Sequence, residues 1–213
     1  MGAPVSVLSS PLAHGLRISI PPEARSTLVD LACDFAIAGS AVYELGHTIA
    51  ELLPTLHARL PKRVEFVSMD ESEERLRNTR RTLTLGTRSI HFMNADFDRG
   101  IVVRDASVAI MAGTSQQVHP LRRRQLLADV YRGLRDGGCV LLMEVTRSRD
   151  SLLNNVFAAH THDSEHPDTF ETARMMQMAG TLSEECALLS HSAFRSVEIF
   201  YKRFGLCGLI AIK

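Results

Sequence analysis

Hydrophobic residues fall in short runs separated by polar turns, and this pattern predicts strands alternating with helices. Seven runs predict β-strands, at residues 27–31, 64–69, 89–93, 106–111, 139–145, 197–204 and 208–212. Helices are predicted over residues 40–59 with a break near Pro54, and over 73–81, 121–134 and 148–177. We therefore predict an α/β, Rossmann-like fold, with a parallel sheet, helices on both of its faces and a C-terminal antiparallel hairpin.

The length of the chain, 213 residues, is typical of one domain. Within it we expect an N-terminal extension over residues 1–26 and a helical lid or insertion over residues 148–190. Ligands of such sheets bind at the carboxyl ends of the strands.

Charge and cysteine content narrow the class of protein. Lys plus Arg and Asp plus Glu are 24 each, so the net charge is zero and argues against a nucleic-acid or membrane surface. A small-molecule substrate is the better expectation. The four cysteines form no C-x-x-C pair, which favours reduced thiols and a cytoplasmic protein. The sequence shows neither a secretion leader nor an apolar run long enough to span a bilayer.

The segment 27–39 reads as a buried strand that runs into a turn of small residues, the place where a nucleotide-type cofactor is held. Asp30 lies at the end of this predicted strand, and Ala32 and Ala36 allow close backbone approach. A nucleotide loop ordinarily uses glycine, whereas this segment offers Ala32, Cys33, Asp34 and Ala36. The segment therefore indicates the fold more strongly than it indicates cofactor binding.

Acidic residues also end the next two predicted strands. Asp70 and Glu71 follow the strand at 64–69, and Asp96 and Phe97 follow the one at 89–93. A carboxylate at the tip of a strand accepts hydrogen bonds from ribose hydroxyls or an adenine amine. Asp70 also stands three residues before Glu73, a spacing typical of a helix cap, so capping is the alternative role.

Candidate catalytic groups come from two places. Glu144 ends the fifth strand and is expected to face the substrate. His160 and His162 belong to the His-rich segment 160–166, which we interpret as a solvated lid, with a general base or a metal site as alternatives. The spacing completes no zinc pattern, so we predict no metal. The arginine run 122–124 is expected to face water.

Several strings occur together in an order that resembles one family. They are residues 28–33, 70–72, 95–97, Thr114 and Gln116 with Pro120, 131–138 and 204–213. With them the chain resembles class I S-adenosylmethionine-dependent methyltransferases and, within that superfamily, the carboxy-S-adenosylmethionine synthases. Members of that family convert S-adenosylmethionine and prephenate into a carboxylated cofactor for tRNA wobble-uridine modification.

The resemblance implies S-adenosylmethionine as cofactor and assigns residues to it. It implies that residues 28–33 form the first cofactor motif, Asp70 and Glu71 the ribose loop, and Asp96 with Phe97 the adenine contact. Arg174 lies in the segment where the family grips the extra carboxylate of its cofactor, although a lone helical arginine is also typical of a surface.

The chain also departs from the family pattern. Asp34 stands where the methionine end of the cofactor passes, and it either pairs with the ammonium or repels the carboxylate. Ala112 replaces an asparagine of the family.

Three functions follow from the sequence. The first is a methyltransferase acting on a small molecule; the second is an enzyme similar to carboxy-S-adenosylmethionine synthase. The third is a noncatalytic partner subunit or binder of another ligand, which the alanine-containing turn and Ala112 suggest. A homodimer is compatible with each of them.

Overall fold

The computed structural model describes residues 18, 20–46, 52–82, 90–161 and 178–213. Seven strands form one sheet in the order β3-β2-β1-β4-β5-β7-β6. The strands are β1 Ala41–Leu45, β2 Glu65–Asp70, β3 Ile90–Asn94, β4 Ala106–Ala112, β5 Leu134–Val145, β6 Ser196–Arg203 and β7 Leu206–Ile212. Strands β1 to β5 are parallel, and β7 lies antiparallel between β5 and β6. The predicted fold class is confirmed.

Helices cover both faces of this sheet. They are α1 Pro22–Phe35, α2 Leu53–Arg59, α3 Glu73–Thr82, α4 Thr114–Gln117, α5 Pro120–Gly133, α6 Ser151–Thr161 and α7 Leu182–His191. Helices α1 and α2 bury apolar residues against one face, and α5 and α7 do so against the other. No helix in the described ranges combines the length and the apolar character that a membrane span requires.

The prediction of a first strand at residues 27–31 is wrong, because those residues belong to α1. Its buried residues Ala24, Leu28 and Ala32 recur every fourth position, the spacing of a helix face. Pro22 occupies the first turn, where a missing N–H costs nothing. Asp30 and Asp34 are exposed on the helix.

The first strand lies instead at β1, inside the segment predicted as a helix over residues 40–59. All five residues of β1 are buried, because the strand lies in the interior of the sheet with both faces covered. Its one charged residue, Glu44, accepts a hydrogen bond from Ser68 Oγ of β2 at 2.5 Å. Among the described residues of the predicted helix 40–59, the helical part is α2.

The other predicted elements agree with the structure within a few residues. Strands β2 to β5, helices α3 and α5, and the terminal hairpin of β6 and β7 start or end within five residues of the predicted bounds. Of the predicted helical region 148–177, the described part contains α6. The domain division, including a lid over 148–190, stays a prediction.

Candidate functional site

The crevice outside the carboxyl ends of β1 and β4 is the candidate site. From β1 the chain continues to β2 on one side, and from β4 it continues to β5 on the other, so the strand order reverses here. Open α/β sheets bind ligands at such a switch point.

Gly46 directly follows β1 at this crevice. Its φ is +94°, a conformation that favours glycine, and a Cβ there would lie 2.2 Å from Thr114 Oγ1. Thr114 in turn donates a hydrogen bond to Leu45 O at 2.5 Å. Close approach of α4 to β1 therefore requires glycine at this position. The sequence signal for it is a short run, 41–45, that is apolar except for Glu44 and is followed directly by glycine.

The residues predicted to form the cofactor turn lie elsewhere in the fold. Ala32 is fully buried within α1, and Ala36 follows the end of that helix. Ile37 N then donates to Ser107 Oγ at the start of β4, at 3.2 Å. The end of α1 therefore lies at the amino edge of the sheet, opposite the crevice. The prediction that Ala32 and Ala36 form the turn after the first strand is wrong.

The polar members of that predicted turn also lie on α1. Asp30 forms an exposed ion pair with Arg59 Nη1 of α2 at 2.7 Å. Cys33 is partly buried, and burial raises the pKa of its thiol. Asp34 is exposed on the helix surface. None of the three follows a strand, because the segment is helical, so the structural reason for assigning them to a cofactor is removed.

Asp70 lies at the carboxyl end of β2, as predicted, and is fully buried. Its Oδ1 accepts hydrogen bonds from Ser72 N at 2.5 Å and Arg75 Nε at 3.0 Å, and it lies 2.8 Å from Arg75 Nη2. Its Oδ2 has no hydrogen-bond partner among the described residues. A buried carboxylate oxygen without a donor fits a ligand hydroxyl.

The capping role considered for Asp70 is present in part. The carboxylate binds Ser72 N, just before α3, while Ser72 Oγ accepts from Arg75 N at 3.2 Å. Asp70 therefore supports the helix start with one oxygen and leaves the other unused.

Hydrogen bonds join the ends of β2 and β3. Asn94 Nδ2 donates to the carbonyl oxygens of Asp70 and Glu71, at 3.0 and 2.9 Å. Glu71 Oε1 accepts from Phe97 N at 3.1 Å. Burial raises the pKa of the Glu71 carboxyl, and the nearby carboxylates, first among them that of Asp96, raise it further. These bonds fix the predicted ribose and adenine loops against each other.

Asp96 and Phe97 differ in exposure. Asp96 Oδ1 accepts from Asp98 N and Arg99 N at 3.1 and 3.3 Å, and its Oδ2 pairs with Arg99 Nε at 3.0 Å. Its side chain is about half exposed, at 51%. Phe97 is buried in the apolar cluster of the α5 face. Asp96 is thus the accessible member of the pair, and Phe97 packs in the core.

Helix α4 connects the ends of three strands. Besides the bond from Thr114 to β1, Ser115 Oγ donates to Glu144 Oε1 at 2.8 Å. Gln116 Nε2 donates to Val145 O, and Gln116 Oε1 accepts from Val145 N at 3.2 Å. The turn is therefore held to β1 and β5 by side chains of consecutive residues. Ala112, which is almost fully buried, ends β4 just before it.

Glu144 is fully buried at the end of β5, beneath α4. Burial raises the pKa of its carboxyl to about 8, and the charge of Glu185 adds to the increase. Its Oε2 has no hydrogen-bond partner among the described residues. Glu144 therefore lies against α4 and α7 rather than in open solvent. Its predicted catalytic role stays a prediction.

The expectation that the whole arginine run 122–124 faces water is wrong for Arg123. Its side chain is only 10% exposed, and its Nη1 lies 3.9 Å from Glu185 Oε1 of α7. Its Nη2 donates to Gln116 O and Met178 O, both at 3.4 Å. Position 123 faces inward because α5 buries one side against α7, while Arg122 and Arg124 are exposed.

His160 packs at the same edge of the sheet, against the turn between β6 and β7. Its ring stacks on Phe204 with centroids 4.5 Å apart. Lys202 Nζ lies nearby, bonded to Thr146 Oγ1 at 2.8 Å and Phe204 O at 2.5 Å. His162 and Arg174 lie outside the described residues. The described part of the chain contains no group of three or more His, Cys, Asp or Glu side chains placed to hold a metal.

No family model matches the chain, but its sequence is similar to those of several curated proteins. The carboxy-S-adenosyl-L-methionine synthase of Methylococcus capsulatus is 26% identical over 93% of this chain and 88% of its own length. The synthase of Mannheimia succiniciproducens is 28% identical over 86% of this chain and 80% of its own.

Solved structures show the same fold. Human N-acetylserotonin methyltransferase in complex with S-adenosylmethionine superposes with a TM-score of 0.62 at 19% identity, covering 89% of this chain and 51% of that one. The pyocyanin biosynthetic protein PhzM gives a TM-score of 0.65 at 17% identity, with 88% and 53% covered. This chain thus spans about half of each of those proteins. The chain has the class I methyltransferase fold and resembles the carboxy-S-adenosyl-L-methionine synthases over most of its length.

Proposed function

We propose that the protein is an S-adenosylmethionine-dependent methyltransferase acting on a small molecule. The observation that carries the proposal is Asp70, a buried carboxylate with an unpartnered Oδ2 at the carboxyl end of β2. It lies one strand away from Gly46, the glycine of positive φ that directly follows β1. An acidic residue at one strand end and a glycine after the neighbouring strand are the two features that hold the ribose and the chain of a nucleoside cofactor.

The residues of the crevice fit this cofactor. Asp70 would accept from a ribose hydroxyl, and the half-exposed Asp96 would accept from the adenine amine. Gly46 would let the backbone approach the ligand. When bound, S-adenosylmethionine supplies an electrophilic methyl group; the protein then has to align an acceptor with it and exclude water. Of the predicted catalytic groups, His160 and Glu144 lie at this edge of the sheet, and we keep His160, His162 and Glu144 as candidates for proton transfer.

A second candidate is an enzyme similar to carboxy-S-adenosyl-L-methionine synthase. It is favoured by relatives of that name that align with 86–93% of this chain. In that case Arg174 is the residue we propose for the extra carboxylate of the product.

The third candidate, a noncatalytic partner subunit or binder of another ligand, loses one of its two reasons. It rested on alanines in place of glycine in the cofactor turn, which belong to α1, and on Ala112, which ends β4. The residue that directly follows β1 is Gly46, whose positive φ favours glycine. We also propose a cytoplasmic protein that does not bind nucleic acid, on the basis of the balanced charge and the spacing of the cysteines. A homodimer is compatible with this proposal.

Mass spectrometry of the small molecules distinguishes the two enzymatic candidates. Purified protein is incubated with S-adenosylmethionine, alone, with prephenate or with a panel of small hydroxyl and amine acceptors. A carboxylated cofactor formed only with prephenate supports the second candidate; S-adenosylhomocysteine formed with an acceptor supports the first. Asp70→Asn is the control for site-dependent turnover. If the wild-type protein does not bind S-adenosylmethionine at all, both candidates are wrong.

A further inference from the structure

Asp70 is the carboxylate that we propose for ribose binding, and one of its two oxygens already accepts hydrogen bonds from the protein itself. Three N–H groups converge on Asp70 Oδ1, namely Ser72 N and the Nε and Nη2 groups of Arg75. Asp70 Oδ2 is buried and has no partner among the described residues. All donors that the structure supplies to this carboxylate therefore crowd onto a single oxygen.

A ribose diol presents two hydroxyl donors, and it binds a carboxylate most strongly when each oxygen accepts one of them. Oδ1 of Asp70 has no lone pair left for a further donor while Arg75 is in place. Only Oδ2 is then available, and the diol can bind through one hydroxyl. Arg75 and the ribose therefore compete for the same oxygen.

Arg75 is placed so that it can leave. Its side chain is 30% exposed, whereas that of Asp70 is fully buried, so solvent reaches the arginine from the surface of α3. It lies in the first turn of that helix, so a change of rotamer does not require the helix to unfold. Ser72 N remains on Asp70 Oδ1 after release and keeps the carboxylate oriented.

A second carboxylate is available to the released arginine. Glu71 lies four residues before Arg75 and uses Oε1 to accept from Phe97 N. Burial raises the pKa of the Glu71 carboxyl, with further increases from Asp96, Asp98 and Asp70, and no ion pair to a basic side chain is found for it in the described ranges. A guanidinium moved to this group would relieve the repulsion among these carboxylates.

We propose that Arg75 is a latch on the cofactor site: it closes the Asp70 carboxylate in the ligand-free protein and is displaced when the ribose binds. This inference rests on the proposed function, because it takes Asp70 as the ribose ligand. The latch sets the affinity of the site, since each binding event has to break the Asp70–Arg75 pair.

Calorimetric titration with S-adenosylhomocysteine tests the latch. Arg75→Met removes the competing donors and keeps an unbranched apolar stem, so we expect binding roughly tenfold tighter than in the wild type, the size of one charge-assisted hydrogen bond. Arg75→Gln, with a weaker neutral donor, should lie between the two. Arg77→Met is the matched control, because Arg77 is exposed on the same helix, and it should leave the affinity unchanged.

A double-mutant comparison ties the effect to Asp70. In an Asp70→Asn background, Arg75→Met should tighten binding much less than in the wild type, because the contact with Arg75 has already lost its negative charge. Unchanged or weaker binding by both Arg75 variants, with their folding verified by circular dichroism, would overturn the latch while leaving the cofactor site established. A wild-type protein that does not bind the ligand, with an Arg75→Met variant that also does not bind, overturns both the latch and the proposed function.

Discussion

Glu144 makes the stability of this protein depend on pH in a direction that is unusual for a glutamate. Its carboxyl is fully buried, and burial raises its pKa from 4.5 to about 8. The unfolded chain therefore releases this proton at a lower pH than the folded protein does. The contribution of Glu144 to stability is fully present below pH 4.5 and is lost as the pH rises towards 8.

The size of the effect follows from the two pKa values. Each unit of difference corresponds to about 1.4 kcal/mol, so between pH 5 and pH 8 the folded state loses about 3 kcal/mol through this one group. Glu144→Gln replaces it with a neutral side chain of the same shape, whose amide oxygen can still accept from Ser115 Oγ. We expect the variant to avoid this loss and to be more stable than the wild type near pH 8.

Urea unfolding of both proteins at pH 5, 6, 7 and 8 measures this difference. The exposed Glu198, on β6, provides the matched control Glu198→Gln, which should follow the wild-type curve. If the free energies of unfolding of Glu144→Gln and the wild type change in parallel over this range, Glu144 is not titrating between those values and the reasoning is refuted.

Two further substitutions test the packing around the site. Gly46→Ala should cost at least about 2 kcal/mol of unfolding free energy, because its Cβ would clash with Thr114 Oγ1 and the backbone would be strained. Gly39→Ala is the control: Gly39 also has a positive φ but lies in open space, so this variant should cost about 1 kcal/mol. Equal costs for the two variants would contradict the close approach of α4. Arg123→Met should cost about 3 kcal/mol of unfolding free energy, because it leaves the buried Glu185 carboxylate without its cation. Arg122→Met, at an exposed position, should change the free energy of unfolding by less than about 0.5 kcal/mol. Urea unfolding measures both variants. A similar small effect for both arginines would show that the buried pair is not formed.

Most of the fold could be predicted from the sequence, because apolar runs and turn residues mark β2 to β7 plainly. The first strand could not. Glu44 interrupts the apolar run of β1, and the hydroxyl that stabilises it comes from Ser68, on another strand. The apolar residues of α1 occur close enough together to resemble a strand, although their spacing of four is that of a helix.

In the candidate site, too, some residues could be predicted from the sequence and others could not. Asp70 and Asp96 could be predicted, because acidic residues after apolar strands meet at one edge of a parallel sheet. The inward position of Arg123 and the contact between Arg75 and Asp70 depend on how helices pack and on side-chain conformations. A run of charges in the sequence does not reveal which member faces a buried carboxylate.

The central claim is that Asp70 holds a nucleoside cofactor at the ends of β1 and β2. The most direct test is calorimetric titration of S-adenosylhomocysteine into the wild type, Asp70→Asn and, as control, Asp136→Asn, an exposed position near the start of β5, at the opposite edge of the sheet. We predict binding by the wild type and the control, and binding at least about tenfold weaker in Asp70→Asn, since a charged acceptor is lost. Equal affinities in all three proteins, or no binding by the wild type, would contradict the account.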